Sequence, residues 1–202
     1  PTGHWEMPHT EWGSPIEQTS SEKAESIKER YQKAIIADHA NSLGSYVFLW
    51  GQKQERTPTW YGMFTEMGER TEAITIMEYL WTGQWPEHRA PKFHDITIDG
   101  KGGRFDNVRL ARNGQYTTRI SVEHPNGLTM GVRAEIMPEP RQLSVGGDYE
   151  PRPASIEGLV ISATTSEIVF RAPVKPGAYR ILVYVTDANN YAATANIPFY
   201  VN

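Results

Sequence analysis

The sequence predicts an α+β chain in two unlike parts: an incomplete α/β segment over residues 1–90, then an antiparallel β-sandwich over residues 91–202. Three observations carry that expectation. All six tryptophans (Trp5, Trp12, Trp50, Trp60, Trp81, Trp85) precede residue 86, so large aromatic surface is concentrated in the first part. Charge divides at the same place, with 8 Lys and Arg against 13 Asp and Glu up to residue 90 and 12 against 11 beyond it. Helical periodicity belongs to the first part, whereas the second is a series of short β-rich runs between turn signals. Between them, Pro86-Glu87-His88-Arg89-Ala90-Pro91 reads as a Pro-bracketed linker.

Composition narrows the classes of function. A net charge of −4 with no basic run disfavours a nucleic-acid partner. No uninterrupted apolar stretch is longer than the five residues 46–50, far too short to span a bilayer, so no membrane partner is expected. The absence of cysteine excludes disulfides, thiol catalysis and thiolate metal sites. The chain opens at Pro1 with neither an initiator Met nor a signal peptide, which reads as a processed, engineered or excised polypeptide.

In the first part, residues 1–18 carry scattered Pro and Gly without a period and read as an irregular loop. Thr19-Ser20-Ser21-Glu22 is a capping-box pattern, in which a hydroxyl accepts from the third backbone N–H while the carboxylate reaches back. The helix behind it places Ala24, Ile27, Tyr31, Ala34 and Ile35 on one face, with Glu29 and Lys33 paired at i,i+4 on the other. Residues 45–50 form a continuous apolar run without alternation, the pattern of a strand buried on both faces in a parallel sheet. Residues 51–61 are polar and read as a loop. A second helix is expected over 71–81, with Ile74, Met77, Leu80 and Trp81 inward and Gly83 as its stop. One buried strand needs a partner on each side. A closed (β/α)₈ barrel takes about 250 residues, so the missing strands are expected upstream of Pro1.

In the second part, strands are expected at 93–98, 116–122, 130–136, 167–170, 179–186 and 192–201. His124-Pro125-Asn126-Gly127 is a strong turn, and Asp187-Ala188-Asn189-Asn190 suits a tight hairpin that needs positive φ. Gly177-Ala178-Tyr179 at the start of a strand resembles the tyrosine corner of immunoglobulin-like sandwiches. About 110 residues with this spacing fit one immunoglobulin or fibronectin III-like module.

The stretch from Gly44 through Trp50, Gln52, Gln54, Glu55, Arg56 and Pro58 to Trp60 resembles the eighth strand and following loop of a bacterial (β/α)₈ retaining glycoside hydrolase of the clan A type. The run Gly177-Ala178-Tyr179-Arg180 through Ile197-Pro198-Phe199 resembles the β-sandwich appended to bacterial members of that group. The resemblance implies a C-terminal fragment of such an enzyme, acting on a β-linked glycan, secreted or periplasmic. It also implies an oligo- or polysaccharide partner, and either a homo-oligomer or a missing N-terminal barrel segment to complete the fold. It places the nucleophilic and acid/base glutamates upstream of Pro1. Retaining hydrolysis needs two carboxylates about 5–5.5 Å apart, so the chain is expected to lack that pair.

Within the chain, the resemblance makes Trp50 the face on which a sugar ring stacks; without the resemblance the residue reads first as a core cap. Gln52, Gln54 and Glu55 can bond sugar hydroxyls, or form a solvated turn in which Glu55 pairs with Lys53 or Arg56. Trp60 and Tyr61 can wall a cleft or fold the loop onto a helix. Trp5 is a further glycan-facing candidate, and Glu55 and Glu6 are the catalytic candidates the chain itself offers. Trp81 and Trp85 read as structural. The loose set His4, Glu6, His9 and Glu11 lies on no regular element, so no metal is expected. Gly100-Lys101-Gly102-Gly103 lacks the helix of a phosphate loop, and no cofactor is expected.

Overall fold

The computed structural model describes residues 7–99, 102–141, 143 and 149–202. Helix α1 (Ser20–Tyr31) starts at the expected box: Thr19 Oγ1 accepts from Glu22 N at 3.2 Å, and Thr19 N donates to Glu22 Oε2 at 2.7 Å. A π-helical turn, Gln32–Ile36, continues it, and Lys33 pairs with Glu29 at 3.5 Å. Helix α2 (Glu72–Thr82) ends on Gly83 at φ 73°, a left-handed cap that glycine adopts without a Cβ penalty. Its buried side chains include Ala73, Ile76 and Met77, whereas Trp81, expected inward, is half exposed.

The expected strand at 45–50 does not form. Residues 42–47 have no regular structure and 48–50 make a turn and bend. A strand buried on both faces needs neighbours on both edges, and the described residues supply none there. The strands lie instead where a loop was expected: β1 (Gln52–Glu55) and β2 (Thr57–Gly62) pair with each other in an antiparallel hairpin. No barrel closes among the described residues; the chain is a sheet-rich α+β fold with two short helices.

Nine further strands complete it: β3 (Arg70–Thr71), β4 (Lys92–Ile98), β5 (Arg109–Leu110), β6 (Gln115–Glu123), β7 (Met130–Pro138), β8 (Val160–Ala163), β9 (Glu167–Arg171), β10 (Gly177–Asp187) and β11 (Tyr191–Val201). One sheet runs β3-β11-β10-β7, with β5 also on β11; the other runs β4-β6-β9-β8. All six expected strands of the second part are present, and β5 and β8 join them. The two sheets share one core, with Ile181, Val183, Ile197 and Phe199 from the first meeting Phe93, Ile98, Ile168 and Phe170 from the second. Tyr179 donates its hydroxyl to Lys175 O at 3.0 Å, the bond expected of the corner. Asn190 takes φ 64° in the β10–β11 hairpin, as its turn requires.

The alternate residues of β10 and β11 are buried too, against the first part of the chain. Arg180 donates to Pro15 O at 2.7 Å, to Asn196 Oδ1 at 2.5 Å and to Glu139 Oε1 at 2.9 Å. Asn196 Nδ2 donates to Glu17 Oε2 at 2.6 Å, and Lys23 and Thr57 also bond Glu17. Residues 14–23 and the β1–β2 hairpin are thereby held on the sheet through a buried ion network. Burial by itself would raise the Glu17 carboxyl, but Lys23 and these bonds hold it below the ordinary range.

Candidate functional site

The β1–β2 hairpin positions the sugar-binding candidates. Trp50 precedes it on the irregular segment and is 58% exposed. Its ring meets the edge of Phe64 at 5.5 Å and stacks on Trp81, itself 51% exposed, at 6.3 Å and 25°. Two half-exposed indoles in near-parallel register form an aromatic shelf. Phe48, 74% exposed, packs its edge on Tyr61 at 5.6 Å. Next to Trp50 in sequence, β1 lines a groove of about 460 Å³ whose other wall is Glu66 and the segment Tyr149, Glu150 and Arg152.

Gln52 and Gln54 both line this groove, and their amide nitrogens are already engaged, while Gln54 Oε1 is buried without a hydrogen-bond partner. Gln52 Nε2 donates across the hairpin to Pro58 O at 2.8 Å, and Gln54 Nε2 donates to Glu150 Oε1 at 3.2 Å. Glu150 also accepts from Arg56 N at 2.7 Å, so this buried carboxylate fastens residues 149–152 to the hairpin tip. The opposite wall is set by Arg152, which bonds Glu135 at 2.7 Å and pairs with Glu66 at 3.0 Å. Burial would raise Glu135, yet bonds from Ser155 and Arg152, with the Arg152 charge, hold its carboxyl below the ordinary range. Burial, then the Glu135 charge, push the Tyr184 hydroxyl well above the usual phenol range. Two cations and two carboxylates thus line the groove, each with an internal partner, beside the exposed phenol of Tyr149.

Two candidates lie elsewhere. Trp60 is 2% exposed, so its indole faces belong to the interior and offer a sugar no stacking surface. Glu55 is 4% exposed, with Lys53 Nζ at 2.7 Å and the Tyr61 hydroxyl at 3.4 Å. This is the Lys53 pairing that the sequence offered as the plain alternative, and it withdraws the carboxylate from a ligand. Burial, followed by the Glu55 charge, raises the Tyr61 hydroxyl. Trp5 and Glu6 lie outside the described residues, as do His4, Gly100 and Lys101. Glu11, from the loose His and Glu set, pairs with Arg109 at 3.1 Å. Among the described residues no group of three or more His, Asp or Glu side chains comes together to hold a metal.

Sequence reasoning missed Trp81 as a partner of Trp50, and it missed Glu66, Tyr149, Glu150 and Arg152. Trp81 carried a signal, since a Trp in the last turn of a short helix is well placed to be half exposed. The Glu150 contact carried none, because it joins residues 94 and 96 positions apart.

No family profile and no curated protein matches the chain. Among solved structures, the soluble domain of PmoD from Methylocystis sp. ATCC 49242 (Rockwell) is similar over 59% of this chain and 95% of that one, at 14% identity and a TM-score of 0.31. A likeness of that extent bears on neither fold nor function. No helix among the described residues is long and apolar enough to cross a membrane.

Proposed function

We propose that the chain is the C-terminal part of a glycoside hydrolase acting on a β-linked glycan, and that by itself it binds glycan without cleaving it. On this reading residues 91–202 are an immunoglobulin-like sandwich, and residues 42–85 carry a glycan-facing edge. The observation that carries the reading is the half-exposed Trp50–Trp81 shelf, whose Trp50 comes just before β1 in the chain, the strand that lines a groove of amide and charged groups. An aromatic face stacks on the apolar face of a sugar ring, and flanking amides and charges bond its hydroxyls. The Tyr179 corner bond supports the sandwich assignment. A secreted or periplasmic setting follows from the same resemblance.

The test is titration with neutral β-linked gluco-oligosaccharides while Trp fluorescence is followed. Binding that disappears in Trp50→Ala and weakens in Trp81→Ala supports the shelf. No response to any oligosaccharide removes it. Turnover of a chromogenic β-glycoside that is lost in Glu55→Gln would overturn the non-catalytic half, because Glu55 is paired and buried.

A second reading rests on the neighbouring residues. Leu43, Tyr46 and Phe48 are largely or fully exposed on a segment outside any strand. That segment would be a docking strand for the missing barrel or for a second copy of the chain. Sedimentation as a concentration-independent monomer would count against the second copy.

A further inference from the structure

The stretch that the sequence reads as a linker is tied down. Asn126, on the turn between β6 and β7, spans it with one side-chain amide: Asn126 Oδ1 accepts from Arg89 N at 3.0 Å, and Asn126 Nδ2 donates to Glu87 O at 3.0 Å. The Arg89 guanidinium lies over the Trp85 ring at 4.2 Å, and Trp85 stacks in turn on Tyr79 of α2 at 4.2 Å and 16°. Ala90 N donates to Thr75 Oγ1 at 3.2 Å, one turn earlier on the same helix. Residues 85–90 are therefore a strap laid along α2, fastened to it at Thr75 and Tyr79 and to the second part of the chain at Asn126.

The clasp is itself anchored in the sheet. His124 is buried, and its Nδ1 accepts from Asn126 N at 3.1 Å, so Nε2 carries the hydrogen that Asp187 Oδ2 accepts at 2.9 Å. Asp187 Oδ1 accepts from Asn189 N at 2.9 Å and Tyr191 N at 3.0 Å, which fixes it in the β10–β11 hairpin. Gly127 N closes the Asn126 turn on His124 O at 2.9 Å.

What the strap steadies is the last turn of α2. Helix ends open at little cost, and after Thr82 the chain turns at Gly83, whose φ of 73° is a conformation that glycine enters and leaves easily. The strap grips Tyr79. Trp81 follows in the same turn, stacked on Trp50 at 6.3 Å. Trp50 stands on an irregular segment, so the two indoles keep their register only while the end of α2 is held.

We propose that Asn126 is a positioning residue for the aromatic shelf: it holds the strap, the strap holds the last turn of α2, and Trp81 is thereby kept against Trp50 in the arrangement a sugar ring needs. The sugar half of the inference rests on the glycan reading; the positioning of the indole pair does not. A shelf assembled in only a fraction of the chains binds with its affinity reduced by that fraction.

The experiment compares Asn126→Ala with the parent chain. Asn126 is exposed, so alanine removes the clasp and leaves core packing alone, and the melting temperature should hardly move. The first readout needs no ligand. The exciton circular-dichroism signal of the stacked indoles, taken as the part of the spectrum lost in Trp50→Phe, is expected to shrink in Asn126→Ala. The second is titration with neutral β-linked gluco-oligosaccharides, expected to be roughly fivefold weaker in Asn126→Ala. Asn126→Asp keeps the acceptor for Arg89 N and loses the donor to Glu87 O, and should fall between the two in both readouts. Arg89→Ala uncovers Trp85 and keeps the backbone N–H that Asn126 holds; it should reproduce both losses, and it decides the matter if Asn126→Ala does not fold. An indole-pair signal unchanged in folded Asn126→Ala overturns the proposal, as does one that falls only in step with the melting temperature. A smaller signal with undiminished sugar affinity overturns the sugar half. If the parent chain binds no oligosaccharide, the glycan reading fails, and the ligand-free signal alone decides the positioning.

Discussion

Residues 46–50 and 181–185 are both five-residue apolar runs, and the molecule treats them oppositely. The later run lies within β10, paired along one edge with β11 and along the other with β7. Its residues are buried on both faces: Ile181, Val183 and Val185 in the core between the sheets, Leu182 and Tyr184 beside Met137 on the other side. The earlier run forms no strand, and Tyr46, Phe48 and Trp50 are exposed. Apolar content is equal in the two, so what separates them is edge pairing. A β-strand satisfies its backbone through neighbours, and the run at 46–50 has none among the described residues.

Substitutions can break that contrast. The largest effect is expected from Arg180→Ala, which leaves Glu139 and Glu17 buried without their shared cation. Breaking a buried ion pair from one side costs about 3–5 kcal/mol, read as a lower denaturant midpoint. Leu182→Ala, in the later run, should cost about 2–5 kcal/mol through lost burial and a cavity. Tyr46→Ser, in the earlier run, should stay within about 0.5 kcal/mol. If Tyr46→Ser destabilised as much as Leu182→Ala, the two runs would not differ as described.

Acid sharpens the comparison, because the network beside β10 contains Glu17 with its carboxyl held below the ordinary carboxylate range by Lys23 and its hydrogen bonds. A depressed carboxyl binds protons more tightly when unfolded. Its contribution is therefore complete above about pH 4.5 and drains away as pH falls through the folded value. Melting temperature should drop across that window in the parent chain and less steeply in Glu17→Gln. A modest effect is expected from Thr19→Ala, which removes one capping bond of α1. A lost cap costs about 1 kcal/mol, and circular dichroism should show the helix otherwise retained.

How much was legible in the sequence follows from the range of the forces involved. The capping box at Thr19, the glycine stop at Gly83, the positive φ at Asn190 and the Tyr179 corner bond are local. Each is set by residues within a few positions of one another, and each stands in the structure where the sequence put it. The six strands of the second part were legible for the same reason, since period and turn chemistry are short-range signals. Pairing partners were not. The polar run at 52–62 became a hairpin because it could pair with itself across Arg56, and the apolar run before it stayed irregular for lack of an edge. Exposure was decided the same way. Trp50 and Trp60 stand ten positions apart on one aromatic, polar stretch, yet tertiary packing buried Trp60 and left Trp50 stacked on Trp81 in solvent. The groove along β1 depends on Glu150 reaching back to Gln54 and Arg56, and contacts over such separations leave no local trace in the chain that forms them.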